Sequence, residues 1–262
     1  PQAKNARFFF GGYTHLSMSE ALFAAYNAMA GVDIETAITN AGYQLIPGTN
    51  IQSDDIKEMD DLLILQKPDC RSLLEKMQEM MPETEVVWTY GYPIAGDDCS
   101  HHAEALKAME GADLVIFMLG GKHGSCSVSS MGEGVDGTNI NLPICQDALI
   151  QKAAELKIPM VGVHMNGRPI SSDIADKYLN AIIEAWNPSE MGAQAIAETL
   201  LGINNPSGKM PVTTAIHAGQ LPLQYNLYNG SAWSQGDSIG FKNYVDCSHR
   251  PRYAFGRGLS YT

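Results

Sequence analysis

The stretch Asp113-Leu114-Val115-Ile116-Phe117-Met118-Leu119 is apolar at every position after its first. A strand with one face in water would alternate apolar and polar residues, because successive side chains point to opposite faces. A continuous apolar run instead suits a parallel strand buried on both faces. Both faces must then be covered, and the neighbouring sequence supplies the covers. A helix is expected over about 101–110, closed by Gly111, and another over about 144–157, after Pro143. Met160-Val161-Gly162-Val163-His164 and Ala181-Ile182-Ile183-Glu184-Ala185-Trp186 read as further strands, and Val86-Val87-Trp88-Thr89-Tyr90 as an earlier one. Strand and helix alternating in this order make βαβ units, with right-handed crossovers that place helices on both faces. The predicted fold class is α/β, with a mostly parallel sheet.

Other signals mark helix ends. Ser17-Met18-Ser19-Glu20 reads as a capping box, followed by Leu22, Phe23, Tyr26 and Met29 at helical spacing, and Gly31 ends the run. A second helix is expected from Pro68-Asp69, carrying Leu73, Leu74, Met77 and Met81 and stopping before Pro82. The stretch from Asn50 to Lys67 fits a short helix or a loop. Asn187 as N-cap and Pro188 at the first helical position start the last helix, which Gly202 ends. Residues 203–262 are rich in Pro, Gly, Asn, Ser and Tyr and are expected to form an ordered, loop-rich tail wrapping the domain. On this reading residues 1–262 are one domain.

With 262 residues, 45% of them hydrophobic, the chain can build one large core or two modest ones. Lys plus Arg number 17 and Asp plus Glu 29, a net charge of −12 that repels phosphate backbones. Nucleic acid and anionic membrane are therefore poor partners, whereas a neutral sugar meets no such penalty. No apolar run approaches the roughly 20 residues of a membrane helix. Five cysteines, Cys70, Cys99, Cys126, Cys145 and Cys247, are widely spaced with no CxxC pair, so neither a zinc site nor a redox dithiol is expected. Free thiols fit a cytoplasmic setting. The chain opens at Pro1-Gln2-Ala3 without an initiator Met and is expected to be a piece of a longer polypeptide.

Open α/β sheets bind ligands beyond the carboxyl ends of their strands. There, after Leu119, lies a long connection running from Gly120 to Leu142. Connections of this length in compact domains are usually functional. Its carboxylates are Glu133, between Gly132 and Gly134, and Asp136. Flanking glycines let the backbone project Glu133 towards a bound substrate. By spacing alone a solvated acid in a turn is favoured, because Gly-Glu-Gly is a weak pattern.

Ser130-Met131-Gly132-Glu133-Gly134-Val135-Asp136, followed by Asn141-Leu142-Pro143 and Gln146, resembles the acid/base segment of family 3 glycoside hydrolases. Other segments resemble that family in the same order: Asn166-Gly167-Arg168-Pro169, Glu184-Ala185-Trp186, Asn204 to Val212, and Phe255-Gly256-Arg257-Gly258-Leu259-Ser260-Tyr261-Thr262. The resemblance runs over nearly the whole chain. It implies the α/β sandwich domain of a retaining β-glucosidase or β-xylosidase, with Glu133 as general acid/base. It also implies an upstream β/α barrel carrying the nucleophilic Asp, and no segment here matches that Asp motif. Pro1-Gln2-Ala3 resembles the turn after the first sandwich strand, which would place that strand upstream. On this reading the isolated domain should not hydrolyse glycosides.

The remaining candidates carry two readings each. Lys122 and His123, in the Glu133 loop, could touch the sugar or orient Glu133, or be a solvated Lys and a loop His. Trp233 is the better aromatic candidate for stacking on sugar, while packing is favoured for Trp186. Tyr13 and His15 could face the site. Asp136 is expected to fix its loop, and Arg168 to tie loops together. Ser53-Asp54-Asp55 and Gly96-Asp97-Asp98 read as caps or surface loops. Cys126 lacks a His-Asp frame and is a poor nucleophile. No metal and no organic cofactor is called for. The expected partners are a small carbohydrate and the barrel, and a homo-oligomer stays among those considered. The runner-up function is a non-catalytic carbohydrate-binding or assembly module on the same fold. A nucleotide-binding domain is discounted, because neither GxGxxG nor GxxxxGK[ST] occurs at the strand-to-helix turns.

Overall fold

The computed structural model describes residues 8–11, 44–47, 63–66, 71–121, 137–188, 191–226, 244 and 246–262. Seven strands and five α-helices lie within them. The strands are β1 (Phe8–Gly11), β2 (Gln44–Pro47), β3 (Leu63–Gln66), β4 (Val86–Trp88), β5 (Leu114–Gly120), β6 (Met160–Met165) and β7 (Ala181–Trp186). The helices are α1 (Leu73–Met80), α2 (His102–Met109), α3 (Ile144–Ala153), α4 (Asp173–Tyr178) and α5 (Gly192–Leu200).

Five strands form one sheet in the order β4-β1-β5-β6-β7, and every pairing in it is parallel. The apolar run that opened the sequence reading is β5, near the centre, with every residue after Leu114 buried. Val115, Phe117 and Leu119 pack on one face with Ala105 and Met109 of α2, Leu149 and Ile150 of α3, and Ala175 of α4. Ile116 and Met118 pack on the other with Leu73 and Met77 of α1 and Ile196 and Ala197 of α5. Helices therefore cover both faces, as a doubly buried strand requires. Burying a side chain such as Phe117 contributes about 1.5–3 kcal/mol.

Several elements differ from the sequence reading. A strand lies at Phe8–Gly11, between β4 and β5, where none was assigned. The stretch read as helix or loop contains β3, which pairs antiparallel with β2. Helix α1 starts at Leu73 rather than at Pro68: Ser72 accepts from the Glu75 amide while the Glu75 carboxylate accepts from the Ser72 amide. This closed capping box outcompetes a proline start. Helix α5 begins at Gly192, not at Pro188, and Gly202, at φ +71°, follows its end. Short helix α4 was not anticipated; the Ser172 hydroxyl caps it by accepting from the Ala175 amide. The expected helix over 17–29 falls outside the described residues.

The tail is ordered where described. Thr214 bridges Tyr253, and the Gln220 side chain donates to the Ser248 and Arg250 carbonyls. Asn205 Oδ1 accepts from the Tyr261 amide, and the Tyr261 hydroxyl donates to Thr199 O at the end of α5. Arg252 makes the central attachment: its guanidinium pairs with Asp173 and Asp176 of α4, and its side chain also donates to Ser171 Oγ and Ser172 O. These partners raise the Arg252 pKa above its ordinary value against the opposing effect of burial. Removing a largely buried guanidinium strands several acceptors. Arg252→Ala is expected to lower stability by about 2–3 kcal/mol, read as a reduced urea midpoint at unchanged slope.

Candidate functional site

From β1 the chain passes through α1 to β4 on one side, then through α2 to β5 on the other side of β1. The order of the sheet thus reverses between β1 and β5. In open α/β sheets ligands bind in the crevice outside the strand carboxyl ends at such a switch point. The long connection predicted to be functional leaves the sheet there, at Gly120 and Gly121.

The end of β5 is closely held. The Tyr92 hydroxyl, buried, donates to Met118 O at 2.7 Å. Burial pushes its phenol well above the ordinary tyrosine range, so it serves as a neutral donor. One residue pair on, the Gln146 side chain from the first turn of α3 meets both backbone groups of Gly120. The Gly120 amide donates to Gln146 Oε1 at 2.9 Å, and Gln146 Nε2 donates to Gly120 O at 2.7 Å. The Gly121 amide donates to Met165 O at the end of β6, at 3.3 Å. Gly120 has φ +115°, and a Cβ there would lie 2.1 Å from Met165 O.

The connection returns at Gly137. Arg168 Nη2 donates to Asn139 O at 2.8 Å and Nη1 to Pro169 O at 3.0 Å. The Ser171 amide donates to Ile140 O, and Asn141 bridges Ser171 in a parallel sense. Arg168 therefore ties loops together, as expected from the sequence. Beneath this edge, neighbouring β6 and β7 bring His164 Nδ1 to 3.3 Å from Glu184 Oε2. Sequence reading did not join these two, because only the strand register makes them neighbours. Trp186, at φ +53°, ends β7 half-buried, and its carbonyl accepts from the Asn166 amide.

Asp147 is half-buried, and its carboxylate accepts from the Ser172 hydroxyl at 2.6 Å. Burial raises its pKa; the Ser172 hydrogen bond opposes the shift without cancelling it. The native state then holds this proton more tightly than the unfolded chain does. Its stabilising contribution is complete below the ordinary carboxylate pKa and is lost as pH rises through the raised native value. Asp147→Asn, which fixes the neutral form, is expected to raise the urea midpoint at pH 7 and leave it unchanged near pH 3.

Of the site residues named from sequence, Glu133, Lys122, His123 and Trp233 lie outside the described residues, as do Asp136, Tyr13, His15, Cys126 and Ser53-Asp54-Asp55. Asp98 is a surface turn residue: its carboxylate accepts from the Ser100 amide and hydroxyl, which lower its pKa. Cys99, Cys145 and Cys247 are free thiols, and burial pushes the Cys145 thiol up to about 11, away from nucleophilic reactivity. Among the described residues no group of three His, Cys, Asp or Glu could hold a metal, and no helix is long and apolar enough to cross a membrane.

A doubly wound α/β sandwich, with a long connection leaving β5 beside its switch point, is the class defined by these features. The model of the glycosyl hydrolase family 3 C-terminal domain matches residues 18–261, and the chain belongs to that family. It is 36% identical over 161 residues to a periplasmic β-glucosidase of Salmonella typhimurium, covering 61% of this chain and 20% of the relative. It is 30% identical over 161 residues to a β-xylosidase of Formosa agariphila, covering 61% of this chain and 21% of the relative. The chain thus spans about a fifth of the length of these relatives. The structure of a β-glucosidase from Listeria innocua superposes with a TM-score of 0.65 at 22% identity, covering 100% of this chain and 31% of that one, a likeness of fold.

Proposed function

We propose that this chain contributes the general acid/base, Glu133, to a retaining glycosidase that removes terminal β-linked glucose or xylose. Its partner would be an N-terminal β/α barrel supplying the nucleophilic Asp. The observation that carries this reading is where the Glu133 connection departs: it leaves the sheet at the end of β5, one of the two strands that border the switch point, where a ligand crevice is expected. Membership of family 3, with relatives named β-glucosidase and β-xylosidase, supports the substrate class.

In such a mechanism the barrel carboxylate attacks the anomeric carbon while Glu133, protonated, delivers its proton to the glycosidic oxygen. Glu133, now ionised, takes a proton from the water that releases the sugar. The first step needs the acid form and the second the base, so a pKa near the working pH serves both. The barrel would shape most of the pocket and so choose between glucoside and xyloside. The isolated sandwich, lacking the nucleophile, would be inactive.

The test is the anomer first released from an aryl β-glucoside or β-xyloside by the complete polypeptide, followed by proton NMR. Initial release of the β-anomer is expected. Initial release of the α-anomer would exclude a retaining pair of carboxylates. Absence of hydrolysis would favour a carbohydrate-binding or assembly module.

A further inference from the structure

We infer that Gln146 and Arg168 are positioning residues for proton transfer, fastening the two limbs of the segment that carries Glu133. The inference rests on the function proposed above for Glu133. Residues 122–136 run between two described anchor points. At the exit, one amide side chain, only 2% exposed, satisfies both the N–H and the C=O of Gly120. Two hydrogen bonds from a single planar group fix the two peptides that flank Gly120 in orientation as well as in place. At the return, the Arg168 guanidinium joins Asn139 O to Pro169 O.

Beside these anchors, each end of the connection also bonds or pairs with β6 or the segment that follows it. Gly121 bonds to Met165 at the end of β6, and Asn139, Ile140 and Asn141 bond or pair with Arg168 or Ser171, in the segment that follows β6. That segment is itself held: Asn166, fully buried, donates its amide to Trp186 O of β7 and its side chain to Arg168 O. The two feet of the connection thus meet at the end of β6, and Gln146, just beyond the return, ties back directly to the exit at Gly120.

The chemistry makes this placement matter. A general acid works only within about 2.6–3.2 Å of the oxygen it protonates. A displacement of about 1 Å can reduce rate by about a hundredfold. Gln146 is buried beneath the strand end, so its influence on the reaction passes through the Gly120 backbone. A purely structural role for either residue would lower the amount of working enzyme and depress all substrates alike. Misplacing the acid depresses only those substrates whose leaving group needs a proton.

The experiment compares Gln146→Met, Arg168→Met, Arg168→Lys and Glu133→Ala in the complete polypeptide. The substrates are aryl β-glycosides spanning acidic to weakly acidic phenols. Rates are expressed per active site, counted by covalent trapping with a dinitrophenyl 2-deoxy-2-fluoro-β-glycoside, so poor folding does not enter the ratio. For Gln146→Met and Arg168→Met, kcat/KM on the poorest leaving group is expected to fall about 10- to 100-fold relative to the most activated one. Arg168→Lys, which keeps a donor for Asn139 O, should recover part of that selective loss. An equal loss, or none, across leaving groups in both methionine variants overturns the inference while leaving Glu133 as the acid if Glu133→Ala is selective. If Glu133→Ala shows no such selectivity, the proposed function and this inference fall together. Should a methionine variant yield no trappable sites, Gln146→Glu, which can still accept from the Gly120 amide but is expected to lose the bond to its carbonyl, is measured in its place against the same criterion.

Discussion

Glu133→Ala in the complete polypeptide is expected to lower kcat/KM on glycosides with poor leaving groups by about 10²–10⁴-fold, the range that general acid catalysis supplies. Substrates with strongly acidic phenols should lose much less in that term, because their leaving oxygen departs without a proton. Their turnover should instead become limited by release of the glycosyl-enzyme, since no base remains to activate water. Azide attacks without needing a base, so it should restore turnover on activated substrates and yield the β-glycosyl azide, a product that reports both the missing carboxylate and retention. Glu133→Gln preserves shape and hydrogen bonding but cannot donate an acidic proton, and should show the same leaving-group dependence. Normal turnover of both variants on every substrate would remove Glu133 from the chemistry.

The second large effect concerns the foot of the same connection. Gly120→Ala is expected to destabilise the fold by about 4 kcal/mol or more, a loss found only where a specific structural conflict exists. Two causes act together. At φ +115° a side chain is strained whatever the surrounding space, and the new Cβ would sit 2.1 Å from Met165 O, a backbone atom within the sheet. Relief by rotating the peptide is blocked. Gly120 N–H and C=O are both engaged by Gln146, and β5 pairs with β6 through this residue. Urea unfolding of the variant, followed by circular dichroism, checks the prediction; an unchanged midpoint would mean that the β5 end can shift freely, which would also weaken the positioning role assigned to Gln146.

Much of this architecture was legible from residue order alone. The apolar run of β5 required burial on both faces, and the alternation of strands and helices required a parallel sheet. The bounds of β7 were read as observed, Ala181–Trp186, because an apolar run there abuts a strong helix-start signal. Where short segments competed, local pattern was insufficient. Ser72 and Glu75 carry a capping-box spacing, yet Pro68 offered a rival start that only the formed hydrogen bonds dismiss. Helix α4 has six residues, with Ala175 alone buried, too few for a helical period to stand out. For β3, a short apolar run suits either helix or strand until β2 is found beside it.

The sequence by itself determined the class of fold, the family resemblance and Glu133 as the carboxylate to examine, because these depend on hydrophobic period and on residues adjacent in the chain. Only the tertiary structure decided that the chain reverses direction across the sheet between β1 and β5, and how the described feet of the Glu133 connection are fastened. Gln146 meets Gly120 across 26 positions, Arg168 meets Asn139 across 29, and Arg252 reaches Asp176 across 76. Contacts at such separations leave no periodic trace in the sequence. They exist because the folded chain brings distant segments side by side, and a buried polar group such as the Gln146 side chain must find a partner there or cost stability.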